Sequence, residues 1–65
     1  MRPHQQQVID ERDALNERIA SLSAFTFSTE FSNHPTSERA LLRQQLEAMR
    51  RYSHVLTLRI DQFKP

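Results

Sequence analysis

The stretch that decides the fold is residues 42–63, LRQQLEAMRRYSHVLTLRIDQF. Within it Leu42, Leu46, Met49, Ser53, Leu56, Ile60 and Phe63 recur at steps of 4, 3, 4, 3, 4 and 3. Heptad spacing of this kind brings every member of the set to one side of an α-helix and gives it a seam to bury against another helix. Ser53 is the one polar residue on the seam, and a small residue there marks either a close helix approach or an opening in the core. Just upstream, Thr36 or Ser37 directly after Pro35 can cap the start, and Glu38 in the first turn suits the helix dipole. The spacing predicts a helix over 36–63, roughly 40 Å long at ~1.5 Å per residue.

Earlier in the chain Val8, Arg12, Leu15, Ile19 and Leu22 step by 4, 3, 4 and 3, a second seam with one charged member. Pro3 suits a first helical turn, where its missing N–H costs nothing, so a helix is expected over 4–24. Between the two lies SAFTFSTEFSNHPTS, residues 23–37, which holds Phe25, Phe27 and Phe31, three of the four phenylalanines. Ser28 can cap a short turn at 28–32 whose rings plug one end of the molecule. The chain has no glycine, and its prolines, Pro3, Pro35 and Pro65, all lie outside the periodic segments. The fold class that follows is all-α: an antiparallel hairpin of two long helices joined by a short helical turn, one domain over residues 1–65.

Size then raises a problem. A chain of 65 residues buries only about 60% of the surface that its unfolded form exposes. Disulfides and thiolate zinc are excluded because there is no cysteine. His4, His34 and His54 lack the i, i+3 or i, i+4 pairing that puts two ligands on one helix face, so no metal or other cofactor is expected. Self-association is the remaining source of stability. It agrees with Leu41, Ala48, Tyr52 and Val55, a second apolar face of the last helix that one antiparallel neighbour cannot also cover. A homo-oligomer built through the long C-terminal helix is therefore expected.

Net charge is only +1, too little for a field that would attract duplex nucleic acid. Eight of the nine cations are arginine, the side chain suited to bidentate phosphate or carboxylate recognition, stacking and interhelical pairing. No apolar run approaches the roughly 20 residues that span a bilayer, and MRPHQQQVID lacks the apolar core of a signal peptide, which reads as a cytosolic protein away from membranes. The chain also lacks a cysteine nucleophile and any Gly-rich phosphate loop or G-x-S-x-G elbow. The carboxylates of IDERD, residues 9–13, read as a solvated ion-pair face. No enzyme is expected.

Two pairs of residues stand out for binding. His4 and Arg18 are fourteen apart, close to four turns, so both can sit on one face of the first helix and suit an anion. Alternatively Arg18 pairs with Glu11 or Asp13, across a turn or across a subunit boundary, and His4 is a frayed surface residue. Tyr52 and Arg59, seven apart on the last helix, can bracket a nucleobase. Alternatively Tyr52 is an interface aromatic and Arg59 satisfies Asp61 or a partner's carboxylate.

Taken together, QQVIDERDALNERIASLSAF, the phenylalanine segment with its proline, and ERALLRQQLEAMRRYSHVLTLRIDQF resemble the anti-CBASS cyclic-oligonucleotide sponges, a family of small phage and prophage helical-hairpin proteins. The resemblance covers nearly the whole chain. It implies a symmetric homo-oligomer, typically a hexamer, that works in the host cytoplasm and sequesters cyclic di- and trinucleotide immune signals without turning them over. It further implies dinucleotide phosphate contacts from His4 and Arg18, where the family more often has tyrosine and lysine. Arg59 is the implied contact to a trinucleotide. On the residues alone the better reading is a small coiled-coil protein that binds and inhibits or scaffolds a host protein.

Overall fold

The computed structural model describes residues 2–63 and contains three helices, α1 (Pro3–Phe25), α2 (Thr29–Ser32) and α3 (Thr36–Asp61). No strand occurs among the described residues. Pro65, expected beyond the last helix, lies outside them. Each end of a helix leaves orphan backbone groups, and this glycine-free chain satisfies them without any positive φ. At the start of α1, Pro3 occupies the first helical position and the Arg2 amide donates to Gln5 Oε1 at 3.2 Å. At its end Thr26 stays in the right-handed region, with its hydroxyl donating to the Ser23 carbonyl at 2.6 Å.

Ser28 then does two jobs. Its hydroxyl donates to the Phe25 carbonyl at 2.6 Å and accepts the Phe31 amide at 3.2 Å, which closes the turn behind it and caps α2 ahead of it. The cap expected for α3 is different. Pro35, not Thr36 or Ser37, takes the N-cap position, and its carbonyl already accepts the Arg39 amide at 3.0 Å. Proline's fixed φ with an extended ψ delivers the chain into the helix one residue earlier. Thr36 is thus inside α3, and its hydroxyl accepts from the Arg39 guanidinium at 3.1 Å. At the other end α3 stops at Asp61, two residues short of the sequence expectation. The Gln62 and Phe63 amides turn back and donate hydrogen bonds to the Arg59 and Ile60 carbonyls at 3.1 and 2.9 Å.

The two seams meet as their spacing dictates. Val8, Leu15 and Leu56 form the buried core, with Ile19, Met49, Ile60 and Phe63 packed around it. Leu56 is fully buried. Ser53 is not a void in this seam: its hydroxyl donates to Asn16 Oδ1 at 2.6 Å, so the small polar residue ties α1 to α3. At the hairpin tip Phe31 is buried, Phe25 meets it edge to face at 5.9 Å, and the Arg43 guanidinium lies 5.2 Å from its centre. The plug is made by two rings rather than three, because Phe27 is 88% exposed. The bonds of Thr26 and Ser28 on either side hold Phe27 pointing outward.

The result is long and thin, 49 by 14 by 14 Å, with a radius of gyration of 14.9 Å. A compact chain of this length would have a radius of about 11 Å. The accessible surface of 5083 Å² likewise exceeds the roughly 4,300 Å² expected for a folded monomer of this mass. Much of the excess is apolar. Leu41, Tyr52, Val55 and Leu58 are each between 45% and 60% exposed, as the second face of α3 was expected to be in an isolated hairpin.

Removing the Ser28 hydroxyl takes away both the cap of α2 and the closing bond of the turn. Ser28→Ala is expected to cost about 1 kcal/mol and to lower the midpoint of thermal unfolding, followed by circular dichroism at 222 nm, by roughly 4–8 °C. An unchanged midpoint would mean that the tip is held by its rings alone.

Candidate functional site

One contact fixes how the polar flanks of the helices line up: the Tyr52 phenol of α3 donates a hydrogen bond to the Glu11 carboxylate of α1. The helices are antiparallel, so seven residues back along α1 and seven forward along α3 place His4 level with Arg59. The opposite step places Arg18 level with Gln45. Each of these levels has independent support. His4 meets Phe63 edge to face at 6.4 Å, and Phe63 shares a shallow groove with Arg59. Arg18 and Gln45 line one groove together with Leu22 and Met49. The outcome is a ladder of three rungs along one edge of the hairpin, His4 with Arg59, Glu11 with Tyr52, and Arg18 with Gln45.

All four residues singled out in the sequence therefore stand on the same edge, and all four are exposed. The edge does not gather them to one point. His4 and Arg18 are separated by fourteen residues, or ~21 Å along the axis of α1, so one chain cannot close both on a single small anion. Tyr52 and Arg59 are neighbours on this edge, ~10 Å apart along α3. They sense each other, since the Arg59 charge favours the ionised phenol.

The alternatives that place an arginine's partner within its own chain can be judged directly. Arg18 pairs with neither Glu11 nor Asp13: Glu11 holds Tyr52, and Asp13 is taken by Arg12 at 3.2 Å. Arg59 does not pair with Asp61, because Arg12 to Asp13 is the one ion pair among the described residues. Arg18 and Arg59 are thus exposed cations that pair with no carboxylate among the described residues. Phosphate or carboxylate on a ligand can meet them with charge-assisted hydrogen bonds.

The residue that the sequence reading missed is Glu11. It was assigned to the solvated IDERD face, yet it stands seven residues from both His4 and Arg18, and that periodicity was the available signal. The bond from the neutral phenol to the carboxylate, with partial burial and the nearby Glu11 charge adding to it, raises the Tyr52 pKa above the ordinary tyrosine value; Arg59 opposes the shift. The sign follows: a raised pKa means the contact contributes stability below the unfolded value of about 10 and loses it as pH rises through the folded value.

The geometry defines a class: a two-helix hairpin whose polar edge presents separated, unpaired arginines and an aromatic ring. Within that class the family is settled by comparison. The chain matches the family model described as Sequestin over residues 2–62, and it belongs to the Sequestin family. No curated protein and no solved structure matches it. No helix among the described residues is long and apolar enough to cross a membrane.

Tyr52 is the only tyrosine and there is no tryptophan, so absorbance at 295 nm reports its ionisation cleanly. The wild-type phenol is expected to titrate above about 10 and Glu11→Ala to bring it down toward that value. Identical titration curves would show that the Glu11 contact does not form in solution.

Proposed function

We propose that this chain is a homo-oligomeric sponge that sequesters cyclic di- and trinucleotide immune signals in the cytoplasm of a phage-infected host. Binding occurs in pockets between subunits and involves no turnover. Membership of the Sequestin family supports it, since the name itself speaks of sequestration.

The observation that carries the proposal is the separation of Arg18 from Arg59 along one edge, each without a carboxylate partner among the described residues. A cyclic nucleotide is a compact polyanion with flat bases, and it needs more than one cation within its own width. One hairpin supplies a single free arginine at each level. The second must come from another copy, and a symmetric assembly presents every arginine more than once around a ligand of matching symmetry. The exposed apolar face of α3 supports such an assembly, and the hexamer implied by the resemblance would provide several equivalent pockets. Arg18 with His4 from a neighbouring copy suits the dinucleotide; Arg59 beside Tyr52 suits the trinucleotide, with the phenol ring as a stacking wall.

Two measurements test this reading. Light scattering after size exclusion is expected to show an oligomer. Calorimetry against cyclic di- and trinucleotides, with linear dinucleotides as controls, is expected to show micromolar or tighter binding of at least one cyclic ligand. Charge-assisted hydrogen bonds contribute about 1.5–3 kcal/mol. Arg18→Ala and Arg59→Ala are therefore each expected to weaken binding of one ligand tenfold or more, with helicity and oligomer size unchanged. A monomer, or an oligomer that ignores every cyclic nucleotide, ends the proposal; the latter result points instead to a coiled-coil protein acting on a host protein. An arginine whose removal dissociates the oligomer belongs to the interface rather than to the pocket.

A further inference from the structure

Beyond the seams that meet in the core, each long helix carries a second heptad stripe on its outer side, and the two stripes are opposites. On α3, Leu41, Ala48, Arg51, Val55 and Leu58 follow heptad steps, and every one of them is exposed. Arg50, Arg51, His54 and Val55 line one shallow groove there, with Glu47 as its single acid. On the back of α1, Asp10, Asp13, Glu17, Ala20 and Ala24 step by 3, 4, 3 and 4, and all of them are exposed too. One outer stripe is mostly large and apolar with one arginine, Arg51; the other joins three carboxylates to two alanines.

The charge of the helices divides in the same way. α1 holds four carboxylates against two arginines, a net of −2. α3 holds five arginines against three carboxylates, a net of +2. Within one chain this opposition goes unused, because the one ion pair among the described residues lies inside α1 and none joins α1 to α3.

We infer that the outer face of α3 is covered by the acidic back of α1 from a second copy of this chain. The inference rests on the homo-oligomer proposed above and specifies its contact. Large apolar side chains of α3 meet the small Ala20 and Ala24, which let the helices approach closely. Arg50 and Arg51 meet Glu17 and Asp13, the latter sharing its exposed carboxylate with Arg12. Two α3 faces packed on each other would instead bring arginine to arginine, and like charges in contact cost several kcal/mol. Because the two faces differ, the contact is heterologous: each copy offers its α1 to one neighbour and its α3 to the other, so the copies form a ring if the rotation closes. The covered face borders the edge that carries Tyr52 and Arg59, and this puts those residues at a subunit boundary.

Charge reversal with compensation tests the contact. Asp13→Lys combined with Glu17→Lys, and separately Arg50→Glu combined with Arg51→Glu, are each expected to lower the mass from light scattering at least twofold relative to wild type. The chain carrying all four substitutions is expected to recover the wild-type mass. Circular dichroism on every variant establishes that the hairpin is intact. An α1 variant that is folded and keeps the wild-type mass overturns the α1 to α3 contact and leaves the oligomer itself standing. Failure of the fourfold variant to recover, with both pairs dissociating, also overturns it, since the charges then act separately. A monomeric wild-type chain overturns the oligomer and the contact together.

Discussion

Two antiparallel helices have one seam between them, and the whole architecture depends on that limit. Leu56, fully buried against Val8 and Leu15, marks the centre of the seam where the two long helices hide apolar surface in depth. A three- or four-helix fold would have covered the outer side of α3. Here no described residue covers it, so side chains such as Val55 and Leu58 stay half exposed although they are apolar. The limit also accounts for the narrow body of the molecule, whose surface is larger than its mass calls for. Stability and partnership are thus one question in a chain of this size: what a larger protein buries internally, this one leaves for association.

The polar edge follows from the same seam. Residues just beside a heptad core point neither inward nor fully outward, and when two helices run antiparallel these flanking positions meet in fixed pairs. Glu11 and Tyr52 use their pairing for a hydrogen bond. Arg18 and Arg59 sit at the next levels with no acid opposite. A carboxylate at the middle level holds the ring and divides the edge, so that positive charge is confined to two separate places instead of forming one continuous basic strip. For a protein of net charge +1, placement of charge matters more than its amount.

The fold was legible because heptad spacing is a strong signal and nothing in the chain contradicts it. Both long helices, the α2 turn and the Ser28 cap follow from residue spacing and from hydroxyl chemistry. The departures are local and have physical causes. Thr36 reads as a cap until one sees that Pro35 fixes the backbone before it. Phe27 reads as core because it is aromatic, yet the serine and threonine bonds around it decide its direction. The site was legible in part: His4, Arg18, Tyr52 and Arg59 were picked out, and they share an edge. Their pairing across the hairpin was not, because the register between two helices depends on the length and course of the turn, which spacing within each helix does not encode. Glu11 was lost for that reason, hidden among other charges in IDERD.

The ladder has a consequence for how such a chain can vary in length. Its rungs stand seven residues apart on both helices, so each keeps the same angular position only while those intervals hold. One residue inserted between Glu11 and Arg18 would swing the arginine about 100° around α1, off the edge and into the place that Ile19 holds on the seam, while leaving it a perfectly good helical residue. The loop at 26–28 enforces the same rule between helices, since lengthening it would slide Tyr52 away from Glu11. Substitution is easy along this edge, where every side chain is exposed. Insertion and deletion are not, whether within a helix or in the loop that sets their register.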